Sequence, residues 1–262
     1  MKGLLLVICT SVALLTNASG LAKLGQDDWS TKPFNKWTKS EAEKVINDSP
    51  WALAQTVRIK GESKLRRVAG APVDNTGGSQ TIMSAELGGA EAAIDFTFTL
   101  RLRSSTHVRQ ALVRLKQIEA NYDKMSPEKQ AEFDGLPKIK GLLDCPACAD
   151  NYVLTLSGKS SEAPGADAAF TVFKGGRLAD LQRYIFIGNN RGERRALIHF
   201  VPPRAPGDEV VFYFPRLNDK GEPLLAPSDT ELIANFTNND MNLNTNFKVD
   251  VTKLIVNGQV DF

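Results

Sequence analysis

The chain has 262 residues, 42% hydrophobic and 24% charged, which is enough apolar material for a real core. Its formal net charge is +2, from 32 basic and 30 acidic residues, and Lys2 supplies one of the positive charges. So even a balance lacks the electrostatic footprint of a polyanion binder, and no nucleic-acid partner is expected.

Residues 1–20 read as a signal peptide. Lys2 precedes an apolar run over 3–15, and the small residues Ala18, Ser19 and Gly20 follow. Cleavage is expected after Gly20, with Ala22 as the alternative. The run is shorter than the roughly 20 residues that span a bilayer, which argues against an uncleaved anchor. Cys9 follows the bulky Val7 and Ile8 too early in the chain for a lipoprotein site. No later stretch approaches spanning length. The expectation is an exported soluble protein, periplasmic or extracellular, without stable membrane insertion.

Residues 21–60 form a tryptophan-rich N-terminal segment. Thr38 and Glu41 have capping-box spacing, with Trp37 at the staple position. A helix should run to about Asn47 and stop at Ser49-Pro50, and Trp51 to Ile59 should be a strand. Trp29, Trp37 and Trp51 read as a lid packed on a core, with a carbohydrate-stacking platform as the functional alternative. Lys36-Trp37-Thr38 with Asn47-Asp48-Ser49-Pro50-Trp51-Ala52 resembles the opening of a family of uncharacterised exported bacterial proteins. Leu102-Arg103-Ser104-Ser105 with Val108-Arg109-Gln110-Ala111-Leu112 is similar to a second block of that family, with Leu102 in place of its more usual aromatic. The resemblance implies export and no known activity.

Residues 61–91 are weakly periodic and carry Gly70, Pro72, Gly77 and Gly78. They read as a surface loop, or a disordered one, with one strand near Gln80 to Met83. The body, 92–262, begins with the clearest pattern in the chain. Ile94, Phe96, Phe98, Leu100 and Leu102 alternate with Asp95, Thr97, Thr99, Arg101 and Arg103, a half-buried strand. The period then changes: Val108, Ala111, Leu112, Leu115 and Ile118 form one helix stripe, with Ser104 and Ser105 placed to cap it. Ser126-Pro127 opens a further helix ending near Gly135. After it come strands at Tyr152 to Leu156, Ala168 to Phe173, Tyr184 to Ile187, Arg195 to Val201, Glu209 to Phe214, Glu231 to Phe236 and Phe247 to Val256. Arg177 to Gln182 reads as one helical turn, and the Gly188 to Gly192 stretch as a hairpin. The fold class is α+β: an antiparallel β-rich body, sheet or sandwich, with a few short helices mainly in the N-terminal half, expected to form one domain with residues 21–60.

Four groups of residues invite a chemical reading. Cys145-Pro146-Ala147-Cys148 has redox spacing, but a strand rather than a helix follows it, so a short structural disulfide fits better. Zinc would need His107 and His199 as well. Asp240, Asn242 and Asn244 place oxygen at every second position, a weak calcium candidate. Arg101, Arg103, Arg109, Arg114 and Lys116, with Arg191, Arg194 and Arg195, read as solvated basic faces, or as a surface for an acidic partner. No nucleophile elbow or phosphate loop is present, and no catalytic residue or cofactor is expected. The alternate apolar residues ending in Phe262 have a barrel-strand look, which Asn257-Gly258 interrupts. The expected role is a non-enzymatic binding or structural module of the cell envelope. The alternatives are a thiol-disulfide protein using the cysteine pair and a calcium-stabilised surface protein. Thr97, Thr99, Arg101 and Arg103, the outward row of the strong strand, form the candidate partner surface.

Overall fold

A computed structural model describes residues 32–60, 93–160, 167–238 and 243–262. The expected signal peptide, Trp29, the 61–91 loop with its Gln80 to Met83 strand, and Asp240 and Asn242 lie outside the described residues.

Helix α1 (Lys39–Asn47) starts where its box predicts. The Thr38 Oγ1 accepts from the Glu41 N–H at 3.3 Å, and Glu41 Oε2 accepts from the Thr38 N–H at 2.7 Å. Strand β1 (Ala52–Lys60) pairs antiparallel with β2 (Ala93–Leu102). Beyond β2 lie α2 (Thr106–Glu119), α3 (Pro127–Gly135) and α4 (Pro137–Asp144), then strand β3 (Asn151–Ser160). The rest comprises α5 (Ala168–Phe173), α6 (Leu178–Leu181), β4 (Phe186–Asn189), β5 (Arg194–Ala196), β6 (His199–Val201), β7 (Val210–Pro215), β8 (Glu231–Asn238) and β9 (Leu243–Asp250). A two-residue ladder, β10 (Ile255–Val256) with β11 (Gln259–Val260), closes the chain around Asn257-Gly258. Both turn residues have positive φ, 51° and 78°, which is why this dipeptide makes the turn.

The strands form two antiparallel sheets, ordered β1-β2-β3-β7-β6 and β5-β4-β8-β9. Their inner faces share one core. Phe96, Phe98, Leu100 and Leu102 are fully buried from β2, and Phe212 meets Phe236 of the other sheet at 5.0 Å between ring centroids. Trp37, Ala42, Val45 and Trp51 belong to the same core. The two tryptophans are 2% and 4% exposed, so they are packed and present no stacking platform. The class is therefore α+β with a β-rich body. The helices lie on both sides of β3, α1 to α4 before it and α5 and α6 after it.

Several local expectations change. Ala168 to Phe173 forms a helix, not a strand: Asp167 Oδ1 accepts the Phe170 N–H at 2.9 Å and caps it. Gly158 of β3 makes room for that helix, since a Cβ there would stand 2.8 Å from the Phe98 ring and 3.1 Å from Ala169 N. Arg195 to Val201 divides between the two sheets as β5 and β6, with Leu197 and Ile198 as the crossing point. The Glu209 to Phe214 segment holds β7, which alternates in burial and pairs with β3 on one side and β6 on the other. The last expected strand ends at Asp250, where Asp250 Oδ1 accepts the Thr252 N–H at 3.1 Å and starts a 3-10 turn over Val251–Leu254.

Candidate functional site

The helices beside β2 carry a concave feature with a clear chemical character. Helix α2 begins at Ser105, whose hydroxyl accepts the Val108 N–H at 3.3 Å. Ser104, the other expected cap, instead bridges to β3, accepting the Val153 N–H at 2.6 Å. The buried side of α2 is rotated from the expected stripe. Val108, Ala111, Arg114 and Gln117 are buried, while Leu112 and Leu115 are only partly covered. Arg114 takes a core position because its polar atoms are satisfied there. Its Nε donates to the Trp37 carbonyl at 2.7 Å, and its two terminal nitrogens reach Asp123 at 3.0 and 2.7 Å. That fork holds the Asp123 carboxyl below its usual range.

The rotation leaves Leu112 facing α4. Arg109 donates from Nη1 to the Leu143 carbonyl, tying the C-terminal end of α4 to the start of α2. Burial lowers the pKa of the Arg109 guanidinium. Ile139 is the buried residue that seats α4. At the far end Tyr122 donates to Asp134 Oδ2 at 2.6 Å and stacks edge-on with Phe133 at 5.5 Å, and Gln117 donates to Asp134 Oδ1 at 3.2 Å. Burial, with Asp134 beside it, pushes the Tyr122 phenol up to about 12. Between these fixed ends α2 and α4 enclose an open groove of ≈ 500 Å³, with Leu112, Pro137 and Leu142 on its apolar walls and Arg103, Lys116 and Lys138 as its cations. A second hollow of ≈ 290 Å³ shares Lys116 and Lys138 and continues past Phe133, Leu136 and Ile139, with Glu119 at that end.

The predicted outward row is therefore not one uniform surface. Thr97 is exposed and its hydroxyl pairs with Thr56 at 2.9 Å across the ladder. Thr99 is half-buried. Arg101 is held from several sides: its Nη1 reaches Glu209 and Ser157, and its Nη2 donates to Asn47 Oδ1 at 2.9 Å. Arg103 shares the same Glu209 carboxylate at 3.6 Å and also lines the groove. Two guanidinium groups on one carboxylate leave an excess positive charge at this point. Burial lowers the Arg103 pKa, with Glu209 opposing that effect.

The other basic residues are mostly engaged rather than solvated. Arg191 binds Glu193 at 3.0 Å and the buried Asp229 at 2.6 Å, and Arg195 is itself buried and donates to the Glu222 carbonyl at 3.0 Å. Lys116 and Lys138 make no ion pair among the described residues.

Cys145 and Cys148 have their sulfur atoms 1.96 Å apart. Cys145 is the C-cap of α4, in the left-handed conformation at φ 41°, and a 3-10 turn (Pro146–Cys148) leads on toward β3. A helix C-terminus presents partial negative charge, the opposite of the field that lowers a thiol pKa. Of the calcium candidates, Asn244 falls in β9. Among the described residues no group of three or more His, Cys, Asp or Glu is placed to hold a metal ion.

A constellation with no local sequence signal gathers around Asp261. Its carboxylate accepts from Ser105 Oγ at 2.7 Å and from the Thr106 N–H at 2.8 Å, and it meets His107 Nδ1 at 2.6 Å. The His107 ring stacks on Trp51 at 4.6 Å, and Trp51 Nε1 donates to the Asp261 carbonyl at 2.9 Å. Burial would push the Asp261 carboxyl up, but the bonds from His107, Ser105 and Thr106 outweigh it and hold it below the usual range. A serine, a histidine and an aspartate are thus together, but the carboxylate sits between the other two. A catalytic triad needs the imidazole in the middle to take the serine proton. This set instead places a negative charge on the N-terminus of α2. Asp261 is 154 or more positions from each of its partners, so spacing could not reveal the set.

No protein-family model, curated protein or solved structure matches this chain. No helix among the described residues is long and apolar enough to cross a membrane.

Proposed function

We propose that this protein is an exported, non-enzymatic binding module of the cell envelope, and that it binds through the groove between α2 and α4. The observation that carries the reading is the charge imbalance there: Arg103 shares one carboxylate with Arg101, and Lys116 and Lys138 stand beside it over an apolar floor. A cleft of a few hundred Å³ with apolar walls and a few convergent polar groups is the usual form of a small-ligand site. The signal-peptide pattern of residues 1–20 supports export, as does the family resemblance of the Lys36 to Ala52 and Leu102 to Leu112 blocks. The capping order of Ser105, Asp261 and His107 favours a structural over a hydrolytic role for those three.

The test is a paired screen of the protein and its K116E/K138E variant, changed at the half-buried Lys116 and the exposed Lys138. Binding from an envelope extract that the variant loses supports the reading. Turnover in a broad hydrolase screen, abolished by a single substitution, overturns it. Insulin reduction by the cysteine pair, with a thiol pKa well below ~8.5, would instead favour a thiol-disulfide role.

A further inference from the structure

The geometry points to a head-and-tail ligand: we infer that the groove takes a single-chain anionic amphiphile, a long-chain carboxylate, with its head at Arg103, Lys116 and Lys138 and its tail toward Leu136. This rests on the reading of the groove as a binding site.

The charge along the groove is not even. All three cations line the larger hollow, and two of them, Lys116 and Lys138, also line the smaller one. The smaller hollow adds no further cation. It adds Phe133, Ala120, Leu136 and Ile139, together with Glu119. The smaller hollow shares Lys116 and Lys138 but lacks Arg103 and sets Glu119 against them, so a carboxylate head is held more strongly in the larger hollow, while an alkyl tail finds apolar walls across both. Leu136 is 44% exposed, one of few large apolar side chains so placed. It sits at the junction of α3 and α4, where an alkyl chain would cover it. An acidic amphipathic peptide spreads its charges along its length and would bring some of them against Glu119.

The walls can also yield. Helix α3 has no buried residue, and α4 has only Ile139. Elements with so few buried contacts open at low cost, so the α3–α4 hairpin can adjust around a chain lying on α2.

The experiment is calorimetric titration of the protein with dodecanoate, dodecanol, butyrate and an acidic amphipathic peptide. Dodecanoate should bind at least about tenfold more tightly than either dodecanol or butyrate. K116E/K138E and L136D, changes at partly or fully solvent-exposed positions, should each weaken dodecanoate by about tenfold or more while melting cooperatively like the parent. Equal affinity for dodecanoate and dodecanol, or full retention in K116E/K138E, would overturn the inference. Binding of the peptide alone, lost in K116E/K138E, would overturn the head-and-tail ligand and leave the groove as a binding site. Failure of every probe would overturn both.

Discussion

Replacing Asp261 by alanine removes the carboxylate that closes the N-terminus of α2. It accepts from the fully buried Ser105 hydroxyl and the Thr106 N–H, and it meets His107 Nδ1. The Thr106 amide is exposed and water can replace its partner, so its loss costs little. The Ser105 and His107 contacts are shielded, since the Asp261 side chain is only 12% exposed and the His107 side chain 17%. Hydrogen bonds to a charged group contribute about 1.5–3 kcal/mol each, and a charge at a partly buried helix terminus up to ~2 kcal/mol. These overlap, so the expected loss is about 3 kcal/mol. For a domain of this size that lowers the melting temperature by roughly 6–12 °C. D261N keeps the shape and loses the charge, and should cost about half as much. The pH dependence has a definite sign. The folded-state pKa of Asp261 lies below its unfolded value, so its contribution is present above about pH 4 and fades as pH falls through the folded pKa. Thermal unfolding by circular dichroism, for parent and D261A between neutral and acid pH, should show a gap that narrows below about pH 4. A gap under about 0.5 kcal/mol at neutral pH, or one that does not narrow on acidification, would refute the reasoning.

Leu100 is completely buried in β2, so L100D places an unpaired carboxylate in the core and should abolish cooperative melting; a soluble mutant with a sharp transition would place the core elsewhere. C145S opens a four-residue ring, for which loop-closure arithmetic gives about 2 kcal/mol of stability, and chemical denaturation should show that loss with groove binding unchanged. E209Q leaves Arg101 and Arg103 facing each other without their shared counter-charge and should destabilise by about 1–3 kcal/mol. Urea unfolding measures it, and a neutral result would mean that the two arginines are already solvated.

The β2–α2 unit was legible because both periods are local: alternation for the strand, three-and-four recurrence for the helix. The capping box at Thr38 was legible for the same reason, whereas Asn257-Gly258 was legible only as a break in a strand and not as the turn of a short ladder. Ala168 to Phe173 misled because its aromatic and β-branched residues suit a strand, while the deciding contact is one Asp167 side-chain bond. Arg114 looked like a surface cation because charge alone was visible; its burial depends on the Trp37 carbonyl, far back in the chain. Of the site, Arg103 was singled out by its outward position on the strand. The groove itself was not, because it needs α4, whose Pro137 start has no side-chain cap and whose apolar pattern is broken by Gly141. Tertiary pairing between α2 and α4 makes the site, and no short window of sequence contains both.

Backbone amide spectra of the ¹⁵N-labelled protein, recorded while dodecanoate is added, test the central claim most directly. Shifts are expected to saturate and to cluster on Leu112 to Ala120 of α2, on Leu136 to Leu142, and at Arg103. Saturable shifts confined to another face, such as β6 or the β4–β5 hairpin, or no saturable shift at all, would contradict it.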